Sequence, residues 1–216
     1  MKYTIPLLAL SAALLAGCAG VVKPASTLLP QDLLDATEPL PLGKLGGWRK
    51  GELQIDGRLL RYERSASRLD LFDVYAKDKS ALRYTLGEGE SRCSLSRHEI
   101  KLLGVTATKP MQIRCELSPQ ASLTLTDPPA PRMEPMPMGE LALQDGRKFQ
   151  VLAVYRLSGT MMPLSTPSGY LLAQDGKPQA AIDTTAGRLH LPKADTALRE
   201  ASLRAGLSLA LLWMPD

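Results

Sequence analysis

Two histidines are the natural candidates for general bases in this chain, and their surroundings do not favour catalysis. His98 lies among charged residues, in a stretch that we predict to be a surface connection. His190 lies between Leu189 and Leu191, so alternation places it on the opposite, exposed face of a strand. The sequence has no G-x-S-x-G elbow, no phosphate-binding glycine loop and no H-E-x-x-H. We therefore expect no catalytic residues, no cofactor and no enzymatic activity.

A methionine cluster is the second group that could do chemistry. Met133, Met136 and Met138 stand close together in a proline-rich segment, and Met161–Met162 follow downstream. Closely spaced thioethers are soft ligands that select Cu(I). The prolines also predict a stiff, extended linker over 127–138, in which methionine is an apolar filler against a domain surface. We favour the linker, with a metal site as its alternative.

The three cysteines comprise Cys18 and a pair, Cys93 and Cys115, farther along the chain. Each member of the pair occupies an apolar position where apolar and polar residues alternate. This period of two predicts strands with both cysteines on the inward face. A disulfide between them would be structural, because the C-x-x-C spacing of redox-active pairs is missing. Two buried free thiols are the alternative.

The first eighteen residues carry a targeting signal. Lys2 precedes an apolar run of about ten residues, too short for a membrane-spanning helix of roughly 20, and predicts a secretory signal peptide over 1–17. Leu15-Ala16-Gly17-Cys18 resembles the lipobox of bacterial lipoproteins, in which a branched apolar residue and two small ones precede a cysteine. The resemblance implies that Cys18 receives a diacylglycerol and becomes the acylated amino terminus after cleavage.

Lipidation of Cys18 fits the number of cysteines. It leaves the other two as a pair in an oxidising compartment, where disulfides persist. Position 19, directly after the cysteine, is alanine, whereas an aspartate there would resemble the signal for retention in the inner membrane. In a bacterium with two membranes we therefore expect the protein at the outer membrane, facing the periplasm. A cleaved soluble secretory signal followed by a chance cysteine is the alternative.

The composition narrows the function classes further. Of the 216 residues, 44% are hydrophobic and 22% are charged, as in an ordinary globular domain. Aromatic residues make up only 5%, which leaves few platforms for stacking on single-stranded nucleic acid. The formal net charge of +4 is spread over interleaved acidic and basic residues. We therefore expect no nucleic-acid partner.

Turn residues recur between short apolar segments and predict an antiparallel β fold. The pairs Asp56–Gly57, Asp145–Gly146 and Asp175–Gly176 suit type I′ hairpins, because both central residues need a positive φ. A further hairpin is predicted at Gly87–Glu90. The stretch Arg68–Lys77 fits a helical face about as well as a strand. The predicted fold class is mainly β, an antiparallel sandwich or barrel-like meander of hairpins.

The apolar period changes near the C-terminus. Asp195 can cap a helix over Thr196–Ala205 that Gly206 ends. The nearly continuous apolar run Leu207–Met214 then predicts a last strand, buried on both faces. This run and Phe149–Tyr155 could line a lipid-binding cavity or form a dry core.

The mature chain divides into a lipidated tether and one domain. The tether covers 18–34, with a short helical turn at Gln31–Ala36, and a single β-rich domain covers 35–216. The segments Gly51–Arg58 and Gly139–Arg147 have similar sequences, and each begins a run of predicted strands. This similarity leaves a second interpretation, in which two β halves are joined at 127–138.

These observations predict a lipid-anchored cell-envelope protein with a non-enzymatic role in binding or assembly. Its expected partners are the membrane, through the Cys18 lipid, and an envelope protein. The alternative is periplasmic handling of copper through the methionine-rich segment.

Overall fold

The computed structural model describes residues 25–43, 49–71, 75–102, 105–118, 121–127 and 129–213. In these ranges the chain forms β-strands and two α-helices. In chain order the elements are α1 (Gln31–Ala36), β1 (Thr37–Pro41), β2 (Lys50–Ile55), β3 (Arg58–Leu71), β4 (Tyr75–Leu86), β5 (Gly89–Leu102), β6 (Val105–Leu117), β7 (Ala121–Thr126), β8 (Met136–Leu143), β9 (Lys148–Val154), β10 (Gly169–Gln174), β11 (Lys177–Asp183), β12 (Arg188–Pro192) and α2 (Thr196–Trp213).

These strands form one antiparallel sheet. From β2 to β12 each strand pairs with the next along the chain, and β1 pairs with β12. The order has β1 and β2 at its two edges, so within the described residues the sheet is open rather than a closed barrel. The predicted mainly β fold, a meander of hairpins, is confirmed. The ambiguous stretch Arg68–Lys77 contributes to the paired ends of β3 and β4.

Two of the Asp-Gly turns have the predicted conformation. Asp56 and Gly57 have φ angles of 51° and 71°, and Asp175 and Gly176 have φ angles of 51° and 75°. Both pairs connect neighbouring strands through two residues, as a type I′ hairpin does. The β8–β9 turn is longer, and there Gly146 alone of the Asp-Gly pair has a positive φ. The predicted hairpin between β4 and β5 forms as well.

The C-terminal segment is a single helix, so the prediction of a last strand over 207–214 is wrong. α2 runs unbroken through Gly206, and every residue from 201 to 211 is buried. An apolar run of this length suits a buried helix as well as a buried strand, and here the sheet surrounds the helix. Gly206 permits a close approach instead of ending the helix, since a Cβ there would lie 2.5 Å from Leu189 Cδ2.

The sheet has an inner face, which packs on α2, and an outer face. Inner-face side chains from β2 to β12 join the helix in the main hydrophobic core. On the outer face, α1 covers part of β9, β10 and β11. A second buried cluster lies there, consisting of Leu33, Val154, Leu171 and Ala181. Because both faces are covered, β10 is apolar along almost its whole length.

The two ends of the sheet differ in their connections. We call the end with the tight turns at 56–57, 87–88 and 175–176 the turn end. The opposite end, which we call the loop end, carries the connections 127–135, 155–168 and 184–187. Helix α2 begins at the turn end, where Asp195 Oδ1 accepts a hydrogen bond of 2.9 Å from the backbone N–H of Leu198. The predicted N-cap is therefore confirmed.

The proline-rich segment does not divide the fold. Residues 127–135 connect β7 to β8, which are neighbours in the sheet, and Met136–Met138 already belong to β8. At the other side of the sequence, α1 forms at the predicted residues 31–36. Thr27 and Leu33 are both 2% exposed. Part of the predicted tether over 18–34 is thus packed on the domain.

Candidate functional site

A groove of about 680 Å³ opens toward the loop end, between the inner face of β3 and β4 and the C-terminal end of α2. Three basic side chains and one carboxylate contribute to its wall, next to apolar side chains of the helix. This composition suits an anion that also carries an apolar part. The lining residues are Arg49, Lys50, Glu63, Arg64, Ser65, Ala66, Ser80, Ala81, Leu211 and Leu212.

Alternation along β3 explains why a guanidinium lies in this groove. Leu60, Tyr62 and Arg64 follow one another on the inner face; the first two are buried, and Arg64 lies beside the end of the helix. Its guanidinium carbon is 5.2 Å from the centre of the Tyr62 ring, within the range of a cation–π interaction. The carbonyl groups at a helix C-terminus carry partial negative charge, which the guanidinium complements.

The space between α2 and the sheet is a packed core. Phe149 and Leu207 are fully buried, and both belong to the main cluster of core side chains. Of the two interpretations of the apolar runs that contain them, the structure favours the dry core over the lipid-binding cavity. The groove at the helix end opens beside this core.

A buried arginine fastens α2 to the hairpin of β4 and β5. Arg204 is 3% exposed and lies in the middle of the helix. The Arg204 guanidinium donates hydrogen bonds to Glu200 Oε1 at 2.7 Å, Leu86 O at 3.1 Å, Gly89 O at 3.2 Å and Ser91 Oγ at 3.2 Å. Glu200 also forms an ion pair with Arg58, whose Nη2 lies 2.9 Å from Glu200 Oε2, so this network of polar contacts extends to β3.

The carboxylate in this network is held in its charged form. Burial alone would raise the pKa of Glu200, but the hydrogen bonds from Arg58 and Arg204 outweigh it and lower that pKa below its usual range. A half-buried carboxylate between two guanidinium groups is a structural ion-pair network. Its side chains are committed to each other, so it supplies no acid or base for catalysis.

A second polar cluster attaches the N-terminal segment near the loop end. Thr27 N donates to Asp183 Oδ2 at 3.1 Å, and Thr27 Oγ1 contacts Asp183 Oδ1 at 2.8 Å and Ser168 O at 2.6 Å. All three residues are at most 2% exposed. Ser158 N also donates to Ser26 O at 2.8 Å. We call this cluster the Thr27–Asp183 contact; it fixes the first described residues of the chain to the domain.

The predicted cysteine pair is joined. Cys93 on β5 and Cys115 on β6 are direct partners in the sheet, with their Cα atoms 4.0 Å apart, and their sulfur atoms form a disulfide. Both side chains are on the inner face and at most 3% exposed. The pairing is confirmed, and the alternative of two buried free thiols is wrong. Cys18 and the predicted signal peptide lie outside the described residues.

The two histidines are not where the sequence predicted them. His98 belongs to β5, within the sheet, rather than to a surface connection. His190 was predicted on an exposed face but is only 9% exposed, because its strand lies between β1 and β11 in the sheet, with Pro39 and Ala181 as its direct neighbours. Burial lowers the pKa of His190 below its ordinary value of 6.5.

The methionine cluster is split by burial. Met138 is 3% exposed and belongs to the core, Met136 is half-buried and Met133 is 47% exposed. The three thioethers therefore do not face one open site together. Among the described residues, histidine, cysteine, aspartate and glutamate form no group of three or more that could hold a metal ion.

Sequence patterns did not reveal the two polar clusters. The spacing of Glu200 and Arg204 by four residues predicts a helical ion pair, but it does not indicate that the arginine reaches β4 and β5. Asp183 and Thr27 are 156 residues apart, so nothing local relates them. The groove is likewise lined by residues far apart in sequence, which come from the chain around position 49, the middle of β3 and the end of α2.

No protein-family model matches this chain, and no match is found among curated proteins or solved structures. Neither helix of the described residues combines the length and the apolar character needed to cross a bilayer.

Proposed function

We propose that this chain is a lipid-anchored protein of the bacterial cell envelope, held at the outer membrane by Cys18, with a β domain that acts as a non-enzymatic binding or assembly accessory. The observation that carries the proposal is the Cys93–Cys115 disulfide. It uses two of the three cysteines and leaves Cys18, the cysteine of the lipobox-like motif, as the third.

The disulfide supports the compartment as well. Such bonds persist in the periplasm and outside the cell, and they are rare in the cytosol. The third cysteine is the one that the lipobox-like motif predicts to form a thioether with diacylglycerol. Each buried CH₂ then contributes about 0.8 kcal/mol to membrane attachment, and two or more chains anchor stably.

The groove supports the binding role. It places Arg49 and Arg64 beside the apolar Leu211 and Leu212, and its volume of about 680 Å³ is in the range of ligand sites. The charged residues that approach one another elsewhere, such as Glu200 and Arg204, are engaged in ion pairs. Binding, rather than chemical conversion, is therefore the role that the described side chains favour.

The anchor is tested by expressing the full chain and its Cys18→Ser variant in a bacterium with two membranes. We expect the wild type in the outer-membrane fraction, with an intact mass that begins at Cys18 and includes diacylglycerol and an acyl chain. Cys18→Ser should remain unprocessed or become soluble. The control is Cys93→Ala/Cys115→Ala, which should stay lipidated. Unchanged membrane fractionation of Cys18→Ser would refute the anchor.

The binding role is tested by photocrosslinking in cells. A photoreactive amino acid at Ala66, in the groove, should give a specific adduct, whereas the same group at Lys177, exposed at the turn end, should not. Mass spectrometry of the adduct identifies a protein partner or a small amphiphile. An Ala66 position without any specific adduct would count against the accessory role.

A further inference from the structure

Among the side chains that the structure describes, the large exposed apolar ones are found at one end of the sheet. Most large apolar side chains in the described part of the chain are in the core. Those that remain exposed lie in the segment next to Thr27 or in the two long connections of the loop end. They are Leu28 at 38%, Met133 at 47%, Met161 at 87% and Met162 at 75% exposure.

The segments that carry these side chains are in contact with one another. Leu28 N donates to Arg156 O at 2.8 Å, which joins the N-terminal segment to the connection 155–168. The hydroxyl group of Tyr155 donates to the carbonyl oxygen of Pro129, which joins that connection to 127–135. The segments that carry the exposed methionines are thus linked to one another at the loop end.

Exposure of this kind is unfavourable in water and points to a partner. Contiguous exposed apolar side chains in a soluble domain mark contact sites for proteins or membranes. Methionine is unbranched and conformationally adaptable, so it suits an irregular, fluid partner such as the boundary between headgroups and acyl chains.

The described part of the chain also begins at this end. The Thr27–Asp183 contact fixes Thr27 beside the connection 155–168. Cys18 precedes Thr27 by nine residues, and nine residues span at most about 30 Å when fully extended. A lipid on Cys18 would therefore keep the loop end, not the turn end, next to the bilayer.

Charges at the loop end complement an anionic membrane. The groove that opens there contributes Arg49, Lys50 and Arg64 against Glu63. In the connection 127–135, Arg132 and Glu134 are both exposed and balance each other. Basic groups close to an anionic surface are attracted to it.

We propose that the loop end is a membrane-contacting surface, in which Leu28, Met133, Met161 and Met162 enter the headgroup region of an anionic bilayer. This inference rests on the proposed lipid anchor, which brings the surface within reach of the membrane. The bilayer holds the domain in one orientation, with the turn end facing away from the membrane.

The test measures the environment of position 161 in the full, processed chain reconstituted into vesicles of phosphatidylethanolamine and phosphatidylglycerol. Met161→Cys is labelled with the fluorophore NBD. The matched control is Gln144→Cys, which is exposed at the turn end. Quenching by doxyl-labelled phospholipid reports contact with the bilayer, and quenching by iodide reports exposure to water.

We expect the label at position 161 to lose at least about half of its emission to doxyl lipid and little to iodide, because interfacial side chains lie roughly 5–10 Å deep. The label at position 144 should show the reverse. Equal iodide quenching at both positions would overturn the inference. Shielding from iodide in native membranes but not in vesicles would also overturn it, because the partner would then be a protein.

Failure of the anchor is recognised separately. The intact mass shows whether Cys18 carries lipid before any vesicle is prepared. If it does not, Met161→Trp and Gln144→Trp replace the NBD positions, and maleimide-bearing phospholipid is attached to the free Cys18 thiol. Quenching of the tryptophan fluorescence by brominated lipid is then compared between each variant and the parent chain. This comparison tests the membrane contact without the natural anchor.

Discussion

The hydroxyl group of Tyr84, on β4, donates a hydrogen bond of 2.8 Å to the backbone carbonyl oxygen of Arg204, in the middle of α2. The same hydroxyl lies 3.1 Å from Ser208 Oγ, one helical turn farther on. Burial raises the pKa of Tyr84 above its usual range, so the phenol remains protonated and can donate. The contact ties an apolar helix to one rotational position inside the sheet.

The side chain of Arg204 should matter much more for stability than that of its neighbour Arg199. Arg204→Met removes a donor from the Leu86 and Gly89 carbonyl groups and leaves Glu200 with Arg58 alone, so we expect the free energy of unfolding to fall by roughly 3 kcal/mol. Arg199→Met breaks only surface pairs and should cost at most about 0.5 kcal/mol. Urea unfolding followed by circular dichroism measures both; equal losses would contradict the assignment.

Gly206→Ala should destabilise the protein although alanine favours helices. The new Cβ would lie 2.5 Å from Leu189 Cδ2, and overpacking of this kind costs about 1–3 kcal/mol, more than the ~1 kcal/mol gained in helix propensity. In a Leu189→Val background, which removes the clashing methyl groups, the same change should become neutral or stabilising. A double-mutant cycle in urea measures the coupling. Stabilisation by Gly206→Ala alone would show that the close contact is wrong.

Stability should fall as the pH drops below about 6.5, in part through His190. Burial lowers the pKa of His190 in the folded protein, so the unfolded chain binds more protons in this range and acid favours unfolding. Asp183 and Arg188 act on the same imidazole in opposite directions. His190→Gln should reduce the slope of unfolding free energy between about pH 5 and 6.5. Identical slopes for the two proteins would mean that His190 titrates normally.

The disulfide should stabilise the domain through the unfolded chain. Cys93 and Cys115 are separated by 22 residues, and closing a loop of this size contributes about 3 kcal/mol. Reduction with dithiothreitol should lower the free energy of unfolding by this amount. Cys93→Ala/Cys115→Ala is the control and should not respond to the reductant. A reduced wild type as stable as the oxidised one would contradict the prediction.

Copper binding should be weak. Met138 is in the core, which leaves Met133 and Met136 as the accessible thioethers of the cluster. Two thioethers are a poor set for a soft-metal site, so Cu(I) should bind no more tightly than about micromolar. Isothermal titration of the mature chain measures this, with Met133→Leu/Met136→Leu as control. Tighter binding that this control abolishes would favour the copper alternative.

Local patterns were sufficient for much of the fold. Asp56–Gly57 and Asp175–Gly176 predicted type I′ turns because a positive φ is a property of the residues themselves. The alternation around Cys93 and Cys115 predicted that both face inward, and the register of β5 and β6 makes them partners. The cap at Asp195 followed from side-chain chemistry within one helical turn.

The predictions that were wrong concern residues whose environment comes from distant parts of the chain. The run after Gly206 is apolar enough for a buried strand or a buried helix, and the surrounding sheet made it a helix. His190 alternates with Leu189 and Leu191, but β1, about 150 residues earlier, pairs with its strand, and the side chain is buried. Burial depends on what packs against a strand, and local period does not reveal that.

By itself, the sequence determined that this is a β-rich chain with defined turns, one inward-facing cysteine pair and a lipobox-like motif at Cys18. These features depend on backbone conformation and on residues close together along the chain. The tertiary structure decided the buried helix, the Arg204 network, the Thr27–Asp183 contact and the grouping of exposed methionines at the loop end. Each of these joins residues far apart in sequence, and their energies exist only after the sheet has folded around the helix.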